Sequence, residues 1–486
     1  MADKVDFIER ISDDHDAFPA DVDRRTAGDP SAPATMINSY AIAGALVGNA
    51  LEWYDFALYG YFASEIGAAF FPPSKSDDGQ LLRSFVVFGG AFLMRPLGGL
   101  FFGHQADKAS GSRKSALLGS LIMIMLPTFL LGCLPTYEKI GSAAVIMLVI
   151  VRLIQGLAVG GQLVTCMTYL CEIAPRGRTG MYGSLAFFGC NFGVFLGNCT
   201  GALIHSTLSK EDLFSYGWRI PFLSSFIVGL IGFFLQRRAP PSPFSEKLPL
   251  AANEASTATF SPLKRLFKEQ PRMLALTIAM CAFWPVGFYT VFVWFVEYES
   301  SIMQPPLPGS FWINAILLAL NIACTPLFGR LSDKVGRVSV MTKGLALSAI
   351  FPLLFYMRLS LPNGAKPVLS LLAGSVLSVS LAAFSGPLPA FMVESFDPRV
   401  RVTALGIGYN VAQALLGGTA PLIATALAGT SVVISPSFYL ILCACLSAIG
   451  LKCAKSAQHV SRDIEMHSSA IQEVTVAGEG ENIALI

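Results

Sequence analysis

Apolar runs long enough to cross a bilayer recur along the whole chain, and this repetition constrains the fold more than any single motif. They fall near 38–70, 82–104, 115–135, 142–171, 179–205, 217–237, 272–298, 309–332, 338–358, 366–394, 402–428 and 434–455. A helix needs about 20 such residues to cross the hydrocarbon. The pattern predicts an all-α polytopic membrane protein of about twelve transmembrane helices. Composition agrees: 53% of the 486 residues are hydrophobic and 14% are charged, against about 25% charged in a soluble domain.

The longest internal polar break runs from Arg237 to Pro271 and contains Pro240, Pro241 and Pro243. It reads as a linker. The expected organisation is a disordered N-terminus over 1–35, a six-helix bundle over 36–238, a linker over 239–270, a second six-helix bundle over 271–456, and a tail over 457–486. The N-terminus is acidic (Asp13, Asp14, Asp16, Asp21, Asp23) and resembles neither a signal peptide nor a mitochondrial presequence.

Basic residues alternate between rich and sparse loops. Lys108, Arg113, Lys114, Arg176, Arg178, Arg237, Arg238, Arg330, Lys334, Arg337, Arg399 and Arg401 fall in one set. The positive-inside rule makes that set cytoplasmic, and an even span number puts both termini there too. With no targeting signal visible, the plasma membrane is the expected membrane. A net charge of +2 gives no reason to expect nucleic acid. The ten cysteines lie mostly in apolar runs and the five histidines are scattered. No disulfide framework, metal site or cofactor is expected.

The two halves repeat. Gly103-His104-Gln105-Ala106-Asp107-Lys108 follows the second run, and Gly329-Arg330-Leu331-Ser332-Asp333-Lys334-Val335-Gly336-Arg337 follows the eighth. Glu172 closes the fourth run and Glu394 the tenth. Matching motifs in two six-span halves mark transporters built from repeats. In this motif Gly103 and Gly329 permit close helix approach. Asp107 and Asp333 suit a neighbouring helix N-terminus and can pair with Arg113 and Arg337. Together with Lys108, Lys334, Glu172 and Glu394, these residues form an expected cytoplasmic gate, a charge latch for one of two states.

Glu52 and Asp55 lie three residues apart inside an apolar segment, hence on one face of a helix. A carboxylate in hydrocarbon has to be paired, protonated or turned to water. Arg95 and Arg152 are the expected partners. Arg95 also suits a substrate carboxylate, which arginine grips bidentately. Asn191, Asn314, Asn321, Tyr409, Asn410 and Gln413 are further polar candidates for a cavity, as are Trp284 and Tyr289 beside Pro285. The repeated glycines Gly189, Gly193, Gly197 and Gly201, with Gly156 and Gly160, read as close-packing faces.

Leu51-Glu52-Trp53-Tyr54-Asp55-Phe56, Arg95-Pro96-Leu97-Gly98-Gly99, Arg152-Leu153-Ile154-Gln155-Gly156 with Gly160-Gly161, and Gly217-Trp218-Arg219-Ile220-Pro221-Phe222 resemble the major facilitator superfamily. So do Gly386-Pro387, Glu394, Arg401, Gly408-Tyr409-Asn410 and Gly417-Gly418-Thr419-Ala420-Pro421. Within that superfamily the chain resembles the metabolite:proton symporter branch, which includes transporters similar to proline/betaine and 2-oxoglutarate permeases. The resemblance implies two six-helix bundles around a cavity, alternating access, and proton-driven uptake of a small polar metabolite. It also implies an acid of the first span paired with an arginine of the fourth. That makes Asp55 the expected proton carrier and Arg152 its partner, with Glu52 beside them. The expected substrate-facing set is Arg95, Tyr54, Gln155, Gln162, Asn191, Tyr289, Asn314, Tyr409 and Asn410.

The chain departs from the family pattern in two places. Gln162 stands where the family usually has Glu, and a neutral amide cannot carry a proton. The first latch loop, Asp107 to Arg113, is longer than its copy. The function expected is proton-coupled symport of a small organic anion or zwitterion by a monomer in the bilayer. A uniporter or exchanger of the same fold is the alternative, followed by a non-transporting membrane sensor. No nucleophile–base constellation or phosphate loop suggests an enzyme.

Overall fold

The computed structural model describes residues 34–73, 79–108, 112–242, 261–299, 307, 309–351, 354–355, 366–428 and 435–457. The expectations for residues 1–33, 243–260 and 458–486 lie outside the described residues. Backbone polar groups in hydrocarbon have to bond within their own segment, and among the described residues every regular element is a helix.

The first half comprises α1 (Ala34–Tyr61), α2 (Gly79–Asp107), α3 (Arg113–Cys133), α4 (Ser142–Glu172), α5 (Thr179–Thr207) and α6 (Arg219–Arg238). The second half comprises α7 (Pro271–Trp294), α8 (Ser310–Val335), α9 (Arg337–Ser348), α10 (Pro367–Glu394), α11 (Arg401–Ala428) and α12 (Ser435–Ala457). The apolar run expected over 38–70 is broken at Phe62, and Ala63–Phe70 forms a separate short helix. The expected linker is partly helical: Pro262–Glu269 starts at a proline and buries Leu266. Gly336 has φ +88° between α8 and α9, a conformation open to glycine, and the turn returns Arg337 to Asp333.

Among the described residues nine helices, α3–α8 and α10–α12, are long and apolar enough to cross a membrane. α1 and α2 carry the buried charges Glu52, Asp55 and Arg95, and α9 is 12 residues long. Large apolar side chains are exposed on the outer faces of these helices, and the charges Glu52, Asp55, Arg95 and Arg152 within the spans are buried in a largely apolar interior. On α2, Leu93, Leu97 and Phe101 are exposed while Arg95, Gly99 and Gly103 face the interior.

Packing repeats between the halves. α1 lies on α5 and α6, α2 on α4, and α3 on α4 and α6. Correspondingly α7 lies on α11, and α8 and α9 lie on α10. Gly450 brings α12 against Met280 of α7. The halves meet where α2 crosses α11 and α5 crosses α8. Glycines set these crossings: a Cβ on Gly99 would stand 2.1 Å from the Gly406 oxygen, and one on Gly180 would stand 2.6 Å from the Gly329 oxygen.

Candidate functional site

α1 carries both acids into the interior, and each meets different company. Asp55 accepts from Arg152 Nη1 at 2.8 Å, Gln155 Nε2 at 2.8 Å and Thr128 Oγ1 at 3.1 Å. Gln155 also accepts from Arg152 and donates to Thr128, closing the network between α1, α3 and α4. The Arg152 guanidinium lies 4.0 Å over the Tyr59 ring. Both Asp55 oxygens are thus answered by donors, which offsets part of the cost of burying the charge.

Glu52 is one turn away and fully buried. Its counter-ion is Arg95 of α2, at 4.0 Å. That separation exceeds hydrogen-bond length, and both Glu52 oxygens and both Arg95 Nη atoms lack hydrogen-bond partners. Arg95 Nε reaches Asn410 Oδ1 at 3.5 Å. Trp53, Phe56 and Phe92 ring the guanidinium with centroids at 5.8, 5.9 and 5.4 Å, within cation–π range. Phe56 also faces Arg152 at 5.6 Å, so one ring stands between the two arginines.

α7 and α11 close this aromatic chamber. Trp53 packs edge-on against Phe288 at 5.3 Å, and Phe92 against Tyr289 at 5.9 Å. Trp284 Nε1 and Gln413 Nε2 both donate to the Tyr409 hydroxyl. Near these residues α7 and α11 widen into π-helical turns, Thr290–Trp294 and Gln413–Gly417, a form frequent at functional sites. Trp53, Phe56, Phe92 and Phe288 are not among the site residues expected from the sequence, although Trp53 and Phe56 lie in the Leu51–Phe56 motif. Their signal was adjacency: Trp53 and Phe56 each follow a carboxylate, and Phe92 precedes Arg95 by three residues.

Arg95, Gln155, Tyr289, Tyr409 and Asn410 thus surround the two acids or the chamber beside them, and the other substrate-facing candidates go elsewhere. Tyr54 is partly buried against the apolar cluster of Leu58, Phe62 and Trp218, because one helical step turns it away from Trp53. Gln162 follows Gly161, which faces Phe102, and is turned between Gly48 of α1 and Ser120 of α3, which donates to its oxygen. Asn191 donates to Asn321 at 2.7 Å and links α5 to α8. Asn314 donates to the Phe292 carbonyl and links α8 to α7.

The basic-loop end is tied shut across the halves. Asp107 accepts from the backbone of Val402 and Thr403 at the start of α11. Asp333 accepts from Gly180 and Met181 at the start of α5. Negative charge is favoured at a helix N-terminus, and the same tie occurs twice. Arg113 pairs with Asp107 at 3.2 Å and Glu172 at 3.5 Å, and donates to the Pro398 carbonyl. Arg401 pairs with Glu172 at 3.2 Å, crossing the halves. Arg337 pairs with Asp333 and with Glu394. Gly103 and Gly329 bring α2 onto Thr403 and α8 onto Gly180. The gate lysines differ from expectation: Lys108 and Lys334 are exposed, since a long ammonium side chain keeps its hydration by pointing outward.

A multi-pass helical protein that seals acid–arginine pairs in its interior and ties its halves together at one end has the build of a membrane transporter, not an enzyme. The chain belongs to the Major Facilitator Superfamily, whose model matches residues 41–421. It is 30% identical over 395 residues to the putative proline/betaine transporter of Staphylococcus aureus (strain COL), covering 81% of this chain and 83% of that one. It is 33% identical over 391 residues to the alpha-ketoglutarate permease of Escherichia coli (strain K12), covering 80% and 87%. The proton:xylose symporter XylE bound to 6-bromo-6-deoxy-D-glucose shares the fold, with TM-score 0.69 and 20% identity over 86% of this chain and 95% of that one.

Proposed function

We propose that this transporter is a proton-coupled symporter of a small organic anion or zwitterion, carboxylate- or proline/betaine-like, working as a monomer by alternating access. The observation that carries the reading is the placement of two acid–arginine pairs in the sealed interior, beside an aromatic chamber shared by both halves. Buried charges in a membrane protein mark substrate or proton paths by default. Arg95 is the candidate grip for a substrate carboxylate, with Asn410, Tyr409 and Tyr289 around it.

The working unit is two six-helix bundles, 36–238 and 271–456, joined by the linker. The repeated helix pairings support this division. The basic loops make the tied end cytoplasmic, with both termini on that side and the plasma membrane as location. The structure then corresponds to the state closed to the cytoplasm. Opening requires α2 to part from α11 and α5 from α8.

The test is lumen pH in proteoliposomes on adding L-proline, glycine betaine, 2-oxoglutarate and other carboxylates. Symport predicts lumen acidification with the transported compound. Labelled compound crossing in both directions without a pH change would instead make the protein a uniporter or exchanger.

A further inference from the structure

We propose that Glu52, and not Asp55, carries the transported proton, and takes it when a substrate carboxylate replaces Glu52 as the counter-ion of Arg95. The inference rests on the symport reading and assigns its chemistry to a particular pair.

The two acids differ in what holds their charge. Asp55 has three donors, Arg152, Gln155 and Thr128, from two neighbouring helices. Each of these donors favours the charged form of the carboxyl. Glu52 has no hydrogen-bond donor on either oxygen. What balances its charge is Arg95, at 4.0 Å. Arg95 has both Nη atoms without hydrogen-bond partners, in a ring of Trp53, Phe56 and Phe92. Two parallel N–H groups with no acceptor are the half of a bidentate contact that a carboxylate completes.

Charge balance supplies the coupling. Without substrate, Glu52 and Arg95 sum to zero. Around Arg95 itself, a substrate carboxylate seated beside the Glu52 carboxylate gives two negative charges to one positive, in apolar surroundings that disfavour the excess. One proton from water on the open side binds the Glu52 carboxylate and restores neutrality. After the halves exchange access, the substrate leaves, Glu52 returns that proton to water on the other side, and the Glu52–Arg95 pair re-forms. One proton thus accompanies each substrate molecule whose carboxylate is seated on Arg95.

The other ionisable groups facing this pair are Asp55 on α1, Cys166 on α4, Cys190 on α5, Tyr289 on α7 and Tyr409 on α11. Asp55 is committed to Arg152, and thiols and phenols are ordinarily uncharged at pH 7.

One test needs no substrate. Arg95→Gln removes the counter-ion, so Glu52 should be protonated at neutral pH. The infrared C=O stretch of an un-ionised carboxyl should be stronger in Arg95→Gln than in the double variant Glu52→Gln/Arg95→Gln. Equal spectra would overturn the proposal.

The second test uses labelled 2-oxoglutarate and L-proline in proteoliposomes. An inward gradient of about one pH unit sustains at most about tenfold accumulation per proton. Wild type should approach that value for the transported compound. Glu52→Gln should exchange the label without concentrating it, whereas Asp55→Asn should concentrate it, more slowly. The reverse pattern would overturn the assignment and leave symport standing. Wild-type exchange indifferent to the gradient would sink symport itself, while the infrared comparison would still report on Glu52.

Discussion

Glu52 and Asp55 are one helical turn apart, yet α1 delivers them to unlike surroundings. Asp55 meets α3 and α4, which bring a hydroxyl, an amide and a guanidinium. Glu52 meets α2, which brings Arg95 within a ring of aromatics. The sequence made both acids and both arginines legible, because charge in an apolar run has to be explained. It did not tell which acid would be fully answered, since that depends on Thr128 and Gln155, ordinary polar residues of other helices. Gln155 is central here, as it touches Asp55, Arg152 and Thr128. Gln155→Leu strips a donor from a buried charge, which costs about 1–3 kcal/mol. Thermal unfolding in detergent should show a clear drop in midpoint for Gln155→Leu and a smaller one for Thr128→Val, which deletes a single donor to Asp55. A Gln155→Leu protein as stable as wild type would mean that the network contributes little to holding Asp55.

At the level of the helix, α2 is constrained on two sides. Its Gly98 and Arg95 backbones lie against Leu157 and Gly160 of α4, and its Gly99 and Gly103 lie against Gly406 and Thr403 of α11. The glycine spacing in α4 and α5 announced close packing in the sequence, but not which helix would be the partner, because spacing defines a face and not its neighbour. The linker helix Pro262–Glu269 was missed for a different reason: its polar composition outweighed a short amphipathic pattern. The close approach gives a direct prediction. Gly99→Ala places a Cβ 2.1 Å from the Gly406 oxygen, whereas Gly119→Ala meets Phe102 at an ordinary 3.5 Å. Gly99→Ala should force α2 from α11 and speed hydrogen exchange at Val402 and Thr403 by about tenfold, for a loss of about 1.4 kcal/mol. Gly119→Ala should leave those amides unchanged. Equal protection in both variants would show that the α2–α11 crossing is not what closes this end.

Across the molecule the two ties at the basic-loop end follow one plan in different media. The duplicated Gly-x-x-x-Asp-Lys pattern made the plan legible in the sequence. The pairing of each aspartate with a helix N-terminus was legible too, but not that the helix belongs to the other half, because helix N-termini are placed by the assembled fold. The first tie is sealed: the side chains of Asp107 and Arg113 are 0% and 1% exposed. The second is less sealed: those of Asp333, Arg337 and Glu394 are 6%, 16% and 27% exposed. Salt screens exposed pairs and scarcely reaches buried ones, so the two ties should separate in an exchange experiment. Asp107→Ala and Asp333→Ala each remove charged hydrogen bonds, worth about 1.5–3 kcal/mol apiece, and should shift the equilibrium toward opening by about tenfold or more. Amides of Val402 and Thr403 should exchange faster in Asp107→Ala, and those of Gly180 and Met181 in Asp333→Ala. Raising salt to about 1 M, where the Debye length falls to about 3 Å, should loosen Gly180 and Met181 more than Val402 and Thr403. If salt loosened both pairs equally, the ties would behave as one cooperative closure, and the buried tie would open whenever the exposed one did.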